Sequence, residues 1–197
     1  MIALFGLAGS GKGTQGKALS EIFGWQWLSV GEVIRQAGGY KETIDKGGLI
    51  PDEDVIELMN KRIERAEDEG FDLVLDGYPR TAAQAKYIVE NMPEKIDGGI
   101  LLEVPKDELL KRLKLRWRDD DKKQGAIELR FKIFEENIEE ILRLFEGAGI
   151  PVVRVDGVGE VGEVTDRLVD VVKRLDPGAT EQNDDVNGGE IERSYGE

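Results

Sequence analysis

A glycine-rich segment near the start of the chain has the residue types that a phosphate-binding loop needs. Residues 6–14 read Gly-Leu-Ala-Gly-Ser-Gly-Lys-Gly-Thr, after an apolar strand pattern and before a run of helix-forming residues. Glycines let backbone N–H groups point inward without a clash from a β-carbon, and the start of a helix adds its positive dipole end. The ammonium group of Lys12 can then reach the β- and γ-phosphates of a nucleoside triphosphate. We predict that the segment binds these phosphates through Gly9, Ser10, Gly11, Lys12, Gly13 and Thr14.

The composition limits the remaining chemistry to lysine, arginine, aspartate, hydroxyl groups and backbone amides. The 197 residues include no cysteine and no histidine, which excludes disulfides, thiolate or imidazole metal ligands and histidine-containing triads. The formal net charge of −14 argues against nucleic acid or an anionic membrane as a partner, because both attract basic surfaces. One local cluster reverses this sign and suits a small phosphorylated ligand: Lys111, Arg112, Lys114, Arg116 and Arg118.

The elements that must position these residues follow an alternating pattern of strands and helices. Short apolar runs occur at residues 2–5, 25–28, 72–76, 99–104 and 151–155, and helical patterns separate them. Near-continuous apolar runs indicate strands that are covered on both faces. We therefore predict a three-layer α/β fold around a parallel five-stranded sheet.

The longest amphipathic pattern and the end of the chain set the limits of the domain. Between residues 127 and 146 apolar residues recur at spacings of three and four, which predicts a long helix with one face in the core. From residue 176 onward little apolar surface is available to offset the entropy of ordering. We predict one domain over residues 1–175 and a disordered acidic tail over 176–197. With no leader-like pattern and no apolar run of 18 residues, we expect a cytoplasmic protein.

The phosphate-binding segment also carries a more specific pattern. Gly-x-x-Gly-x-Gly-Lys-Gly-Thr followed by Gln15 resembles the loop of adenylate kinases and their nucleoside monophosphate kinase relatives, a family of P-loop kinases. The common P-loop pattern has Ser or Thr directly after the lysine as a Mg²⁺ ligand, whereas this chain has Gly13. The resemblance implies the P-loop NTPase fold, ATP as phosphoryl donor, and Mg²⁺ held largely through water and the phosphates.

Two further segments resemble the parts of this family that bind the acceptor nucleotide. Residues 29–35, Ser-Val-Gly-Glu-Val-Ile-Arg, are similar to Ser-Thr-Gly-Asp-x-x-Arg, and residues 76–81, Asp-Gly-Tyr-Pro-Arg-Thr, are similar to Asp-Gly-Phe-Pro-Arg-Thr. The resemblance implies a small helical insert at about residues 29–59 and Mg²⁺-bound water organised by Asp76. It also implies that AMP contacts Ser29, Val30, Arg35, Ile50, Gly77, Tyr78, Arg80 and Gln84.

A set of arginines resembles the family's clamp on the transferring phosphoryl group. Arg112 and Arg116 lie four residues apart on a predicted helix, Arg118 follows, and Arg130 begins the long helix. In the family a lid separates the second and third of these arginines, but here one tryptophan does so. We therefore predict a minimal lid at about residues 116–124. Because a lid excludes water from the reaction, a minimal one implies more hydrolysis of ATP in the absence of an acceptor.

The resemblance implies a reversible Mg²⁺-dependent transfer from ATP to AMP that gives two ADP, in a monomer. Its catalytic residues would be Lys12, Arg80, Arg112, Arg116, Arg118 and Arg130, which stabilise charge and position the reactants. A UMP or CMP kinase is the alternative enzyme, because pyrimidine-specific relatives carry a small apolar residue at the position of Val30. A catalytically weak nucleotide-binding module is the alternative of another class, and the short lid favours it.

Overall fold

A parallel sheet forms the middle layer of the computed structural model, which describes residues 1–115 and 125–182. Its strands in chain order are β1 (Ile2–Phe5), β2 (Gln26–Ser29), β3 (Leu73–Asp76), β4 (Gly98–Glu103) and β5 (Val152–Asp156). In space their order is β2-β3-β1-β4-β5, and all neighbouring pairs are parallel. The predicted parallel α/β fold with five strands is confirmed for this part of the chain.

Helices cover both faces of the sheet. They are α1 (Lys12–Phe23), α2 (Val30–Ala37), α3 (Lys41–Asp45), α4 (Asp52–Asp68), α5 (Ala82–Asn91), α6 (Lys106–Leu115), α7 (Ala126–Gly147) and α8 (Val161–Leu175), with a short 3₁₀ turn at Pro93–Lys95. No helix within the described ranges is long and apolar enough to cross a lipid bilayer.

The alternation of side chains along β1 explains why the core has two halves. Ile2 and Leu4 pack with α1 and α8 on one face, whereas Ala3 and Phe5 pack with α2, α4, α5 and α7 on the other. Successive residues of a strand point to opposite faces, so a strand buried on both sides must be apolar at every position. The whole of β1 is buried, and its carboxyl end therefore delivers the glycine-rich loop to one fixed place.

A smaller apolar cluster fixes the two arginine-bearing helices next to that loop. Leu109 and Leu113 of α6 pack with Phe131 of α7, and Leu7 of the loop joins them. The cluster holds α6 and the start of α7 against the glycine-rich segment, so Arg112 and Arg130 emerge on the same side of the molecule.

The structure describes the predicted helical insert and the first residues of the predicted tail. The predicted helical insert, at about residues 29–59, contains α2, α3 and the first residues of α4. Residues 176–182, the start of the predicted disordered tail, contact the domain at two points: the backbone N–H of Gln182 donates to the carbonyl of Ile22 (2.8 Å), and Ala179 packs against the apolar core. The side chain of Gln182 lies against Gly24, where a β-carbon would be 2.0 Å from it. The predicted lid at 116–124 and residues 183–197 lie outside the described part of the chain.

Candidate active site

One cavity of about 670 Å³ lies at the carboxyl edge of the sheet. Ligands of open α/β sheets bind at this edge, beyond the ends of the strands. The structure brings together here, as lining residues, most of those predicted from the sequence: Gly9, Ser10, Gly11, Lys12, Gly13, Thr14, Ser29, Val30, Arg35, Ile50, Asp76, Gly77, Arg80, Gln84, Arg112 and Arg130. Arg116 and Arg118 lie outside the described residues.

The glycine-rich loop turns sharply as it leaves β1. Gly6 has a φ of +148°, and a β-carbon on it would lie 2.6 Å from Ser10 Oγ and 2.9 Å from the carbonyl oxygen of Leu102. A side chain at residue 6 would therefore be strained and would push the loop away from β4. The loop then ends in the first turn of α1, whose backbone N–H groups and dipole favour an anion.

Lys12 spans this loop from the first turn of α1. Its Nζ donates hydrogen bonds to the carbonyl oxygens of Gly6 (2.7 Å) and Leu7 (3.1 Å). The ammonium group is thus held at the mouth of the loop, where it adds a full positive charge to the partial charges of the backbone N–H groups.

Arg35 and Arg80 form a second cationic group on the other side of the cavity. Arg35 extends from α2, and Arg80 follows the end of β3. The Nε of Arg80 donates to the carbonyl oxygen of Gly77 (3.0 Å), which orients its guanidinium group. Arg35 forms no ion pair or hydrogen bond with another residue of the described ranges, so its donors remain available to a ligand.

Gln84 presents a side-chain amide whose two ends are both engaged. Its Oε1 accepts from the backbone N–H of Arg80 (2.8 Å), and its Nε2 donates to Asp52 Oδ1 (2.8 Å). The same carboxylate oxygen accepts from the hydroxyl of Thr81 (2.8 Å), which caps α5 by accepting from the backbone N–H of Gln84 (3.2 Å). Asp52 is not among the site residues predicted from the sequence.

The other predicted acceptor contacts divide between the cavity wall and the core. Val30 and Ile50 are buried and line the cavity, and Ser29 pairs with Asp76 in the sheet register. Tyr78 is different: its side chain is fully buried in the apolar core and does not line the cavity. The nucleotide contact of Tyr78 stays a prediction from the sequence, and its ring packs in the core in this structure. Burial raises the pKa of the Tyr78 hydroxyl above its ordinary value.

Asp76 places a carboxylate between the two cationic groups. It is the last residue of β3 and is 8% exposed, and its Oδ2 would lie 3.5 Å from a β-carbon on Gly13. The absence of a side chain at Gly13 leaves the space between this carboxylate and the phosphate loop open. Trp27, which the sequence did not indicate as a site residue, lines the same corner of the cavity.

Arg112 and Arg130 reach the cavity from α6 and α7. Arg112 pairs with Glu108 Oε1 through Nε (3.1 Å), and its Nη1 donates to the carbonyl oxygen of Gly157 (3.1 Å). The Nη2 of Arg130 donates to the carbonyl oxygen of Ile44 in the predicted acceptor insert (3.3 Å). Arg112 is thus joined to the loop after β5, and Arg130 to the opposite side of the site.

The loop after β5 forms the remaining wall and is fixed by residues distant in sequence. Arg167 Nη1 donates to the carbonyl oxygens of Asp156 (2.8 Å) and Val158 (2.7 Å). Gln15, next to the phosphate loop, donates through Nε2 to the carbonyl oxygen of Val161 (3.0 Å) and accepts from the Thr165 hydroxyl (2.8 Å). The sequence pattern includes Gln15 but carries no signal for its partners, which lie about 150 residues away.

Comparisons with known proteins agree with this arrangement. A family model described as adenylate kinase matches residues 4–150. The adenylate kinase of Nocardia farcinica is 35% identical over 185 aligned residues, with 88% of this chain and 99% of the relative covered. The adenylate kinase of Archaeoglobus fulgidus is 29% identical over 216 aligned residues, with 88% and 98% covered. That of Micrococcus luteus is 35% identical, with 86% and 88% covered. The chain belongs to the adenylate kinase family.

Proposed function

We propose that this chain catalyses the reversible transfer of the γ-phosphoryl group of ATP to AMP, which gives two ADP. One observation carries the proposal: the phosphate loop with Lys12 and the Arg35–Arg80 pair face a single cavity. A bisubstrate phosphoryl transfer needs two such anion sites, one for each nucleotide. The relatives named adenylate kinase support the same reaction.

The donor side would bind the triphosphate of ATP. Backbone N–H groups of residues 9–14 would surround the β-phosphate, and Lys12 would move from its carbonyl partners to the phosphate oxygens. The loop after β5, fixed by Arg112 and Arg167, would lie against the donor base.

A set of arginines would stabilise charge on the transferring oxygens. The set contains Arg112 and Arg130, together with Arg116 and Arg118 as predicted from the sequence.

The acceptor side would hold AMP by its phosphate and its base. Arg35 and Arg80 would bind the α-phosphate, and Ser29, Val30, Ile50 and Gly77 would form the walls. Adenine presents one donor and one acceptor on its pairing edge, and the amide of Gln84 offers the complementary groups. Positioning of this kind is sufficient for catalysis without a general base of raised pKa.

The chemistry of the site fits Mg²⁺. Magnesium ions in kinase sites are bound by one or two carboxylates together with substrate phosphates and water. Asp76 supplies one buried carboxylate beside the phosphate loop, and no cluster of three or more metal-ligating side chains occurs within residues 1–115 and 125–182. When bound, the ion would neutralise charge on the phosphates, and Asp76 would orient its water ligands.

An acceptor-specificity assay tests the proposal. The protein is mixed with ATP, Mg²⁺ and either AMP, UMP, CMP or GMP, and diphosphate formation is measured. We expect the highest kcat/KM for AMP. A preference for UMP or CMP would identify a pyrimidine nucleotide kinase. The buried apolar side chain of Val30 favours this alternative. No diphosphate with any acceptor would indicate a nucleotide-binding module instead.

The organisation around this site remains part of the proposal. Five predictions from the sequence and its family belong to this proposal. They are a single kinase domain over residues 1–175, an acceptor insert at about 29–59, a reduced lid at about 116–124, a monomeric state and a cytoplasmic location. Gel filtration with light scattering would test the monomer.

A further inference from the structure

The amide of Gln84 is anchored by two partners that allow only one orientation. A backbone N–H can only donate, so the atom that faces Arg80 must be the amide oxygen. A carboxylate can only accept, so the atom that faces Asp52 must be the amide nitrogen. Rotation of the amide by 180° would place the nitrogen against an N–H and the oxygen against a carboxylate, which would break both hydrogen bonds.

The anchored amide keeps half of its hydrogen-bonding capacity. A primary amide has two N–H donors and two acceptor lone pairs, and the contacts with Arg80 and Asp52 use one of each. Gln84 is 1% exposed, yet it belongs to the cavity lining. A base in the cavity would thus meet one donor and one acceptor in a fixed order.

Asp52 reaches the Gln84 amide from a different element, the helix α4. It lies in the first turn of α4 and is half-buried, and its Oδ1 accepts from both Thr81 Oγ1 and Gln84 Nε2 at 2.8 Å. Its other oxygen, Oδ2, has no hydrogen-bond partner in the described part of the chain. The contact with Gln84 therefore uses a single acceptor atom, Oδ1, whose position an asparagine oxygen could also occupy.

We propose that Asp52 is a positioning residue for base recognition, which fixes the donor and acceptor order of the Gln84 amide. This inference rests on the proposed function. An adenine base presents an amino donor beside a ring-nitrogen acceptor, whereas a 6-oxopurine presents a carbonyl acceptor beside a ring N–H donor. A fixed amide matches only one of these two edges, so Asp52 would maintain discrimination between AMP and IMP.

The test compares kcat/KM for AMP and for IMP in the wild-type chain and three variants. For Asp52→Ala, we expect the AMP:IMP ratio to fall by about tenfold, the scale of one hydrogen bond, with the KM for ATP unchanged. Asp52→Asn should retain the ratio to within about twofold, because its amide oxygen can accept from the same two donors. Glu53→Ala removes a charge from an exposed position in the same helix turn and should leave the ratio unchanged.

The AMP:IMP ratio separates positioning from a merely structural role, because loss of packing alone would weaken both nucleotides equally. If Asp52→Ala does not fold, Asp52→Ser serves in its place, since serine suits the start of a helix and its hydroxyl is too short to reach Gln84. An unchanged ratio in the folded Ala or Ser variant would overturn the inference alone, as would a wild-type protein that uses AMP and IMP equally. A wild-type protein that makes no ADP from AMP would overturn the proposed function and this inference with it.

Discussion

The guanidinium groups of Arg35 and Arg80 converge beside Gly31. A β-carbon on Gly31 would lie 3.4 Å from Arg35 Nη1 and 3.5 Å from Arg80 Nη2, so both cations approach the same point. Two neighbouring positive charges repel each other, and an anion placed between them attracts both and offsets that repulsion. The glycine thus provides the room in which a phosphate group could accept hydrogen bonds from both arginines.

Gly31→Ala tests this arrangement. The added methyl group would stand at van der Waals distance from both guanidinium groups and would displace the ligand between them. We expect the KM for AMP to rise by about tenfold to a hundredfold, the cost of a weakened hydrogen bond to a charged group, with the KM for ATP unchanged. Gly147→Ala is the matched control, because no atom lies within 4 Å of its β-carbon position. An unchanged KM for AMP would place the acceptor phosphate elsewhere.

Lys12→Met tests the donor side. The substitution keeps the length of the side chain but removes the charge that would stabilise the transferring phosphoryl group. We expect kcat to fall by about 10²–10³, the effect of removing one charge-stabilising group, and the same range for Arg80→Ala. Lys86→Met removes an equal charge from the exposed face of α5 and should keep full activity. Unchanged turnover in both Lys12→Met and Arg80→Ala would contradict the assigned site.

Asp76→Asn tests the metal-binding role. An amide is a weaker partner than a carboxylate for Mg²⁺-bound water, and loss of a partner to a metal's ligands costs about ten- to a hundredfold in metal affinity. We expect the Mg²⁺ concentration for half-maximal rate to rise by about that factor at saturating nucleotide. The control is Asp72→Asn, an exposed carboxylate just before the same strand. A Mg²⁺ titration curve that coincides with that of the wild type would exclude Asp76 from the site.

Much of the fold was predictable because local pattern and tertiary position coincide. The predicted strand at 2–5 is β1 with the same ends, since every one of its side chains is buried and hence apolar. The predicted helix over 127–146 is α7, whose apolar stripe packs on the sheet. Because β1 and β3 pair in parallel, their carboxyl ends and the motifs that follow them come together at one edge of the sheet.

The features that sequence reasoning missed depend on contacts between distant segments. The hydrogen bond between Gln84 and Asp52 joins residues 32 positions apart in the sequence, and that between Thr165 and Gln15 joins residues 150 positions apart. No local pattern encodes either pair. Tyr78 lies within a nucleotide-binding motif, yet its neighbours turn the ring into the core. At the end of the chain, the polar composition of residues 176–182 hid the contact of Gln182 with α1.

The buried hydroxyl group of Tyr78 should lower the stability of the folded protein. The side chain is fully buried, and its hydroxyl has no hydrogen-bond partner among residues 1–115 and 125–182. A buried donor without a partner costs about 1–3 kcal/mol. Tyr78→Phe should therefore raise the free energy of unfolding by about 1–2 kcal/mol at neutral pH, measured by urea denaturation.

The pH dependence gives this prediction a second readout. Burial raises the pKa of the Tyr78 hydroxyl in the folded state, whereas the same hydroxyl has its ordinary pKa near 10 in the unfolded chain. Ionisation then favours unfolding, so the wild type should lose stability as the pH rises above about 10, and Tyr78→Phe should lose less. Tyr87→Phe is the control, and it should lower the free energy of unfolding at neutral pH. The hydroxyl of Tyr87 accepts a hydrogen bond from Asn60 Nδ2 (2.6 Å), so its removal leaves that donor without this partner. A Tyr78→Phe protein that is less stable than the wild type would mean that an internal water satisfies the hydroxyl, and that the residue was retained for a polar contact within the core.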